Sequence, residues 1–420
     1  MRGLPRSAFV LALGFGCLTL EPSLAARESN GTPAAKAFFA EGDAAAKAGK
    51  PAEAAAAFRK AIDADPDFAD AHQRFIESTQ RAEMPGTRTP TVPRLQQLYT
   101  QWARQQPKRA AYQWALGFLS TDSDKADAFF RAALKLDPSF ARAHFLLARN
   151  ADLRGDWAAQ RDYLKAAVEA NPDEPRYLLK YAQANKRSDG ARFRELAMTV
   201  VEKFPDTPAA AEALYNLADA SSDPERRSYF DRLRANYPAP RFGYGTAAMS
   251  DLYEELTAPS EALSVAQEMV KAFPASKTWA RRVELQEAMV RATGLVAERK
   301  FDEALDVVDK TEPPAGSHGT TLALLKAEVA AGAGHTDRAY SALVERVAAA
   351  PNERVEAALL KHATALNKTA REIDNDVWRV RDAKASPATP FQLVADRGDR
   401  TVQLADYRGR VVLLAFWFPG

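Results

Sequence analysis

The chain has 420 residues, 46% of them hydrophobic and 27% charged, with 57 Lys+Arg against 55 Asp+Glu. That length suggests two or three structural units, and a net charge of +2 fits a folded soluble chain without a dedicated nucleic-acid surface. The single cysteine, Cys17, excludes an internal disulfide, a Cys-x-x-Cys pair and a cysteine-rich zinc site.

At the amino end, Arg2 and Arg6 give a positive start, and Ala8 to Leu20 is apolar or small apart from Thr19. Ser23-Leu24-Ala25 places small residues where a signal peptidase reads them. Residues 1–25 therefore read as a secretory signal peptide cut after Ala25 or Ala26. The apolar run is shorter than the ~20 residues that span a bilayer, so no transmembrane span is expected. A lipoprotein anchored through Cys17 is the weaker alternative, because Gly14-Phe15-Gly16 lacks the aliphatic start of a lipidation box. Cleavage removes Cys17 and leaves a cysteine-free chain with a net charge of +1, suited to a compartment where stray thiols oxidise. The expected location is the periplasm or cell envelope of a bacterium.

From Thr32 to Arg381 the composition is rich in Ala, Leu, Glu, Lys and Arg at helical spacing. Pro138, Pro172, Pro205, Pro238 and Pro274 follow one another at 34, 33, 33 and 36 residues, with Pro66 and Pro351 about two units outside them. A proline there cannot continue the preceding helix but is tolerated near the start of the next. Gly42, Gly49, Ala54, Phe58 and Ala61 precede Pro66, so small residues let two helices approach and Phe58 fills the gap. Related skeletons are Leu116, Gly117, Ala126, Phe130 and Ala133, then Leu147, Ala148, Gly155, Leu164 and Ala167, and more loosely Ala327, Gly334, Ala339 and Leu343. This pattern resembles the tetratricopeptide repeat, a 34-residue helix–turn–helix. It implies a mostly α solenoid over residues 32–381, with about nine or ten hairpins and a concave face able to hold a protein or peptide partner. A spacer that positions another domain is the plainer alternative. Met84–Pro93 and Glu312–Gly319 read as loops.

Within the array, His72, His144, His318, His335 and His362 lack the helical pairing of a metal site and read as surface or groove residues. Trp114, Trp157 and Trp279 read as inter-helix packing, Gly243-Tyr244-Gly245 as a turn, and Glu254-Glu255 as a solvated face. The phosphate loop, nucleophile elbow and zinc-protease motifs are missing from the sequence. No cofactor, metal or nucleic acid is expected.

The character of the chain changes after Ala383. Residues 382–390, with Ser386-Pro387-Ala388-Thr389-Pro390, form a helix-stopping linker. Phe391–Val394 and Thr401–Leu404 read as a hairpin about a turn at Asp396–Asp399. Val411–Phe418 is apolar without alternation, the pattern of a strand buried on both faces. This tail resembles the opening of a redoxin domain, nearest the TlpA/ResA-like thiol–disulfide oxidoreductases and their AhpC/TSA relatives. The resemblance rests on about the last 35 residues, with Gly409, Phe416, Trp417 and Pro419 matching the framework around that family's active site.

By that resemblance, residues 391–420 begin a thioredoxin-like α/β domain truncated before its Cys-x-x-Cys, whose first cysteine is expected just after Gly420. No catalytic residue lies in the chain. The expectation is an exported thiol–disulfide oxidoreductase with a partner-binding repeat array, the complete protein acting on a thiol or disulfide substrate. The alternatives are a non-enzymatic envelope scaffold and a peroxiredoxin-like peroxidase.

Overall fold

The computed structural model describes residues 31–83, 91–314, 316–394, 400–410 and 412–415. The signal-peptide reading, including Cys17, Ala25 and Ala26, lies outside them, as do most of the Met84–Pro93 loop and the Asp396–Asp399 turn. Twenty α-helices and one two-stranded sheet make up the regular structure among the described residues, apart from a short 3-10 helix.

The chain divides into two compact units, Met1–Ala248 and Met249–Gly420. The first holds α1 (Pro33–Lys47), α2 (Pro51–Ala64), α3 (Ala69–Glu83), α4 (Thr91–Gln105), α5 (Ala110–Phe118), α6 (Ser123–Leu136), α7 (Ala141–Leu153), α8 (Trp157–Ala170), α9 (Pro175–Asn185), α10 (Gly190–Lys203), α11 (Pro208–Asp219) and α12 (Glu225–Asn236). Helix α13 (Gly243–Glu255) crosses the boundary. The second unit continues with α14 (Pro259–Ala272), α15 (Lys277–Ala297), α16 (Phe301–Asp309), α17 (Gly316–Gly332), α18 (Thr336–Ala349), α19 (Glu353–Ala365) and α20 (Ala370–Lys384). Taken two by two, the helices make ten hairpins in chain order, the upper end of the sequence expectation.

All seven marker prolines sit between helices, and one geometry explains why. The residue before each proline is pushed out of the helical region, yet its N–H still closes the last turn. Asp65 donates to the Ala61 carbonyl at 2.9 Å, Asp137 to Ala133 at 2.9 Å, Asn171 to Ala167 at 3.0 Å and Phe204 to Val200 at 3.0 Å. Tyr237 donates to Leu233 at 2.9 Å, Phe273 to Met269 at 2.9 Å and Ala350 to Arg346 at 2.8 Å. The proline brings no further N–H to satisfy, so the chain turns there without orphaning a donor.

The turn inside a hairpin works differently. Lys50 N–H bonds back to the Ala45 carbonyl at 3.0 Å, Asp156 to Ala151 at 2.9 Å and His335 to Ala330 at 2.8 Å, each across a glycine of positive φ: Gly49 at 72°, Gly155 at 73° and Gly334 at 86°. These are left-handed helix ends, where glycine avoids the Cβ penalty. Arg299 (φ 61°) and Asn367 (φ 53°) hold the same place in two other hairpins. Gly49, Gly155 and Gly334 therefore serve the turn and not close helix approach, since a Cβ on any of them would meet nothing within 4 Å.

Close approach belongs to other glycines. A Cβ on Gly42 would lie 2.6 Å from the Phe58 ring, one on Gly117 2.5 Å from Phe130 and one on Gly332 2.2 Å from Phe301. For Gly42 and Gly117 the phenylalanine comes from the second helix of the same hairpin, whereas Gly332 of α17 meets Phe301 of the preceding helix α16. In the first unit Phe58, Phe130, Tyr99, Trp114 and Leu147 belong to one continuous core running from α1 to α7. In the second unit Met289, Leu305, Leu322, Val329, Leu343 and Val355 belong to another, from α15 to α20.

After α20, residues 385–391 have no regular structure. The expected hairpin is present as β1 (Gln392–Val394) antiparallel to β2 (Thr401–Gln403), with Leu393 opposite Val402, followed by a 3-10 helix at Leu404–Tyr407. The expected buried strand over Val411–Phe418 is not found in its described part. Residues 412–415 form no strand, and Leu413 is 91% exposed. A strand needs neighbours on both sides to be buried, and β1 and β2 supply none to this segment. Phe416, Trp417, Pro419 and Gly420 lie outside the described residues, and Gly409 holds a positive φ of 78° in an open turn.

Candidate functional site

The second unit carries a groove of about 1420 Å³ formed by the end of α13, one face of α15, the inner side of α16, the 310–314 connection and the start of α17. Helix α15 has 21 residues, longer than any other described helix, and is capped where the Ser276 hydroxyl accepts from Trp279 N–H. Its exposed polar face is therefore long.

Beneath the groove runs a buried polar ladder, of which Tyr253 and His318 reach the lining. Tyr253 of α13 is 1% exposed, Gln286 of α15 0% and His318 of α17 3%. The Gln286 amide Nε2 donates to the Tyr253 hydroxyl at 2.9 Å and lies 3.0 Å from His318 Nδ1. His318 Nε2 lies 2.8 Å from the Tyr253 carbonyl, which can only accept, so Nε2 carries the proton and Nδ1 accepts from Gln286. Burial lowers the His318 pKa below the ordinary histidine range; the bond to the Tyr253 carbonyl and the charge of Glu254 work the other way. Burial likewise raises the Tyr253 phenol.

At the rim, Arg282 pairs with Glu254 at 2.6 Å and lies over two rings, 4.5 Å from the centre of Tyr253 and 4.3 Å from that of Trp279. Its planar cation is thus held edge and face. The groove also presents Arg281, Arg291 and Lys310 together with Glu284, Glu287, Glu303, Asp306 and Glu312. Such a wall of both signs offers hydrogen bonds and ion pairs to an extended polar chain. Among the described residues no cluster of three or more His, Cys, Asp or Glu could hold a metal ion.

Several sequence readings are corrected here. His318 is buried in α17, not set in a loop, since that helix begins at Gly316. His72 is also fully buried, where it shares the core-facing side of α3 with Ala69, Phe75 and Ile76. Its Nε2 meets the Pro66 carbonyl at 2.9 Å and its Nδ1 the Tyr99 hydroxyl at 3.0 Å, and burial lowers its pKa to about 4. His144 repeats the first contact, six residues after Pro138 and 2.9 Å from its carbonyl. Gly243 and Gly245 are in the first turn of α13, where a Cβ on Gly245 would strike the Tyr237 carbonyl. Trp114 and Trp279 pack between helices as expected, but Trp157 is 56% exposed at the first position of α8.

Sequence reasoning passed over Tyr253, Gln286 and His318 as a set. The signal was present in the period. They are 33 and 32 residues apart, close to one repeat each, although Tyr253 lies near the end of α13, Gln286 midway along α15 and His318 in the first turn of α17.

Residues 35–68 and 120–175 each match the tetratricopeptide repeat family. Those two segments carry tetratricopeptide repeats. Both matched segments fall in the first unit, at the hairpins where the small-residue skeleton is cleanest. Among solved structures, one from a functional characterization of Pseudomonas aeruginosa PilF is 20% identical over 49% of this chain and 93% of its own, with a TM-score of 0.34. A tetratricopeptide repeat protein from Parabacteroides merdae is 11% identical over 79% of this chain and 99% of its own, at a TM-score of 0.32. The Cut9–Hcn1 assembly of the APC/C is 12% identical over 77% of this chain and 55% of its own, at 0.36. No curated protein matches the chain. No helix among the described residues is long and apolar enough to cross a membrane.

Proposed function

We propose that this protein is an interaction scaffold whose repeats hold a partner protein, with the α15–α17 groove as one seat for an extended segment of that partner. The observation that carries the reading is the tetratricopeptide array itself, because stacked hairpins expose long faces that suit protein recognition. The groove supports it with a wide polar wall and an anchored arginine. The test is site-specific photocrosslinking in the native cell. A crosslinker at Leu285 or Asp306 is expected to capture a discrete partner, and one at Trp157 in the first unit is not. Equal capture at all three positions would overturn the assignment to the groove.

Export belongs to the same proposal, on the strength of Arg2, Arg6, the apolar run and Ala25. Mature protein in the periplasmic fraction, beginning at Ala26 or Arg27, would bear it out. Full-length protein in the cytosol would not.

A second reading concerns the tail. The β1–β2 pair and the 3-10 helix after it fall where a redoxin-like opening requires a hairpin and a turn, which favours residues 391–420 as the start of a thioredoxin-like domain. Sequencing the source DNA past codon 420 tests it. An in-frame Cys-x-x-Cys would support disulfide exchange, a lone cysteine would support peroxide reduction, and a stop codon would leave the scaffold reading alone.

A further inference from the structure

We propose that Gln286 is a proton-driven amide switch, turning over when His318 gains a proton and so changing the sign of the hydrogen bonds that join α13, α15 and α17. The geometry allows two states of the same three residues. In the neutral state the Tyr253 carbonyl fixes the proton on His318 Nε2, so both hydrogens of the Gln286 amide are used, one on the Tyr253 hydroxyl and one on His318 Nδ1. Gln286 Oε1 is then left buried with no hydrogen-bond partner among the described residues. An orphaned acceptor in a fully buried side chain is a standing cost.

Protonation reverses the demand. His318 Nδ1 becomes a donor and opposes the Gln286 N–H at 3.0 Å. Rotation of the amide by half a turn puts Oε1 where Nε2 was, accepting from both His318 Nδ1–H and the Tyr253 hydroxyl. The cost of the turned state is that the Nε2 hydrogens now face the side where Oε1 had no partner. No atom is lost or transferred except the incoming proton, and the bond from His318 Nε2–H to the Tyr253 carbonyl persists in both states.

The groups around His318 set where the switch operates. From α13, Glu254 favours the charged ring, and from α15, Arg282 opposes it. From α18, Arg346 is occupied with the Gly316 carbonyl and the Thr320 hydroxyl, both at 2.9 Å, and α17 itself adds no charge beside the ring. Across the groove α16 presents Glu303 and Asp306, and the connection after it Lys310 and Glu312. Because Tyr253 and His318 both line the groove, the charged state adds a positive group to a wall that otherwise carries more acids than bases.

The experiment is NMR on the full chain with ¹⁵N-labelled histidine and glutamine. His318 is expected to titrate below the ordinary histidine range, and the Gln286 side-chain amide resonance should move with the same midpoint. Gln286→Glu, which offers acceptors only, should raise the His318 midpoint by at least about one unit, a tenfold gain in proton affinity. The proposal is overturned if Gln286 stays still while His318 titrates, or if His318 remains neutral until the protein unfolds in acid. A folded Gln286→Glu variant with an unchanged midpoint would overturn it as well. The wild-type titration decides the matter even if the variant fails to fold.

Discussion

The hairpin α1–α2 matches the tetratricopeptide family and the hairpin α11–α12 does not, yet the two are closed by the same turn. Asp65 and Tyr237 each donate the last helical bond at 2.9 Å before Pro66 and Pro238. Their interiors differ. In α1–α2 a bare glycine, Gly42, receives the Phe58 ring. In α11–α12 the facing surface is built from Ala210, Ala211, Ala213, Leu214, Leu217 and Ala218, with Phe230 and Leu233 opposite. The repeat length thus lives in the proline turn, and the consensus side chains are one of several ways to fill the space between helices.

The largest test of that statement is truncation of the two phenylalanines, both almost fully buried. Phe58→Ala and Phe230→Ala should each lower local stability by about 3–5 kcal/mol, read by hydrogen exchange of the hairpin amides. A loss under about 1 kcal/mol at Phe230 alone would break the claim that the unmatched hairpin is packed as well as the matched one.

Acid should then separate the two regions. An unfolded histidine takes its proton near pH 6.5, whereas buried His72 resists until about 4. The neutral His72 contribution is complete above pH 6.5 and is lost as the pH falls toward 4, by up to about 3 kcal/mol at the lower end. Exchange of α2–α3 amides should accelerate over that window more than that of α11–α12, which contains no histidine. Equal acceleration in both would sink the assignment to His72.

A smaller effect comes from the glycine. Gly42→Ala improves helix propensity by about 1 kcal/mol but forces a Cβ into the Phe58 ring, for a cost of about 1–3 kcal/mol. The prediction is net destabilisation, relieved in the Gly42→Ala/Phe58→Leu double variant. The smallest change expected is a gain. Arg299→Gly relaxes a left-handed residue at a place that three other hairpins fill with Gly49, Gly155 and Gly334, and should stabilise the α15–α16 turn by up to about 1 kcal/mol. A melting temperature that drops instead would show Arg299 holding the turn through its side chain.

These same elements mark what could be read from the sequence. Proline punctuation was legible because a missing N–H has a local consequence that needs no partner. Gly42 with Phe58 and Gly117 with Phe130 were legible because small and aromatic residues recur at a fixed offset. The role of Gly332 was missed for Gly334, two residues away, since a turn glycine and a packing glycine are the same letter. The groove was not seen because its residues are polar and dispersed, and nothing in Tyr253, Gln286 or His318 alone distinguishes them from a solvated face. The Val411–Phe418 strand was inferred from apolarity, which states a need for burial without naming what covers it.

The ladder also limits how the gene can change. Most hairpins are closed by bonds four residues apart and touch only the next, so a whole 33- or 34-residue unit could be duplicated or lost while each neighbour keeps its own closure. Two hairpins differ: Arg142 of α7 reaches past α5–α6 to Asp70 and Gln73 of α3, and a similar tie spans α15–α16. The His318 ring reaches past it to the Tyr253 carbonyl, and the Ser317 hydroxyl bonds the Glu254 carbonyl at 2.5 Å, so α17 is fastened directly to α13 with Gln286 between them. Excising that one unit would remove the middle of a three-part joint. Length variation among natural versions of this array is therefore expected away from both ties, with the three hairpins around Gln286, and the three joined by Arg142, each inherited as a block.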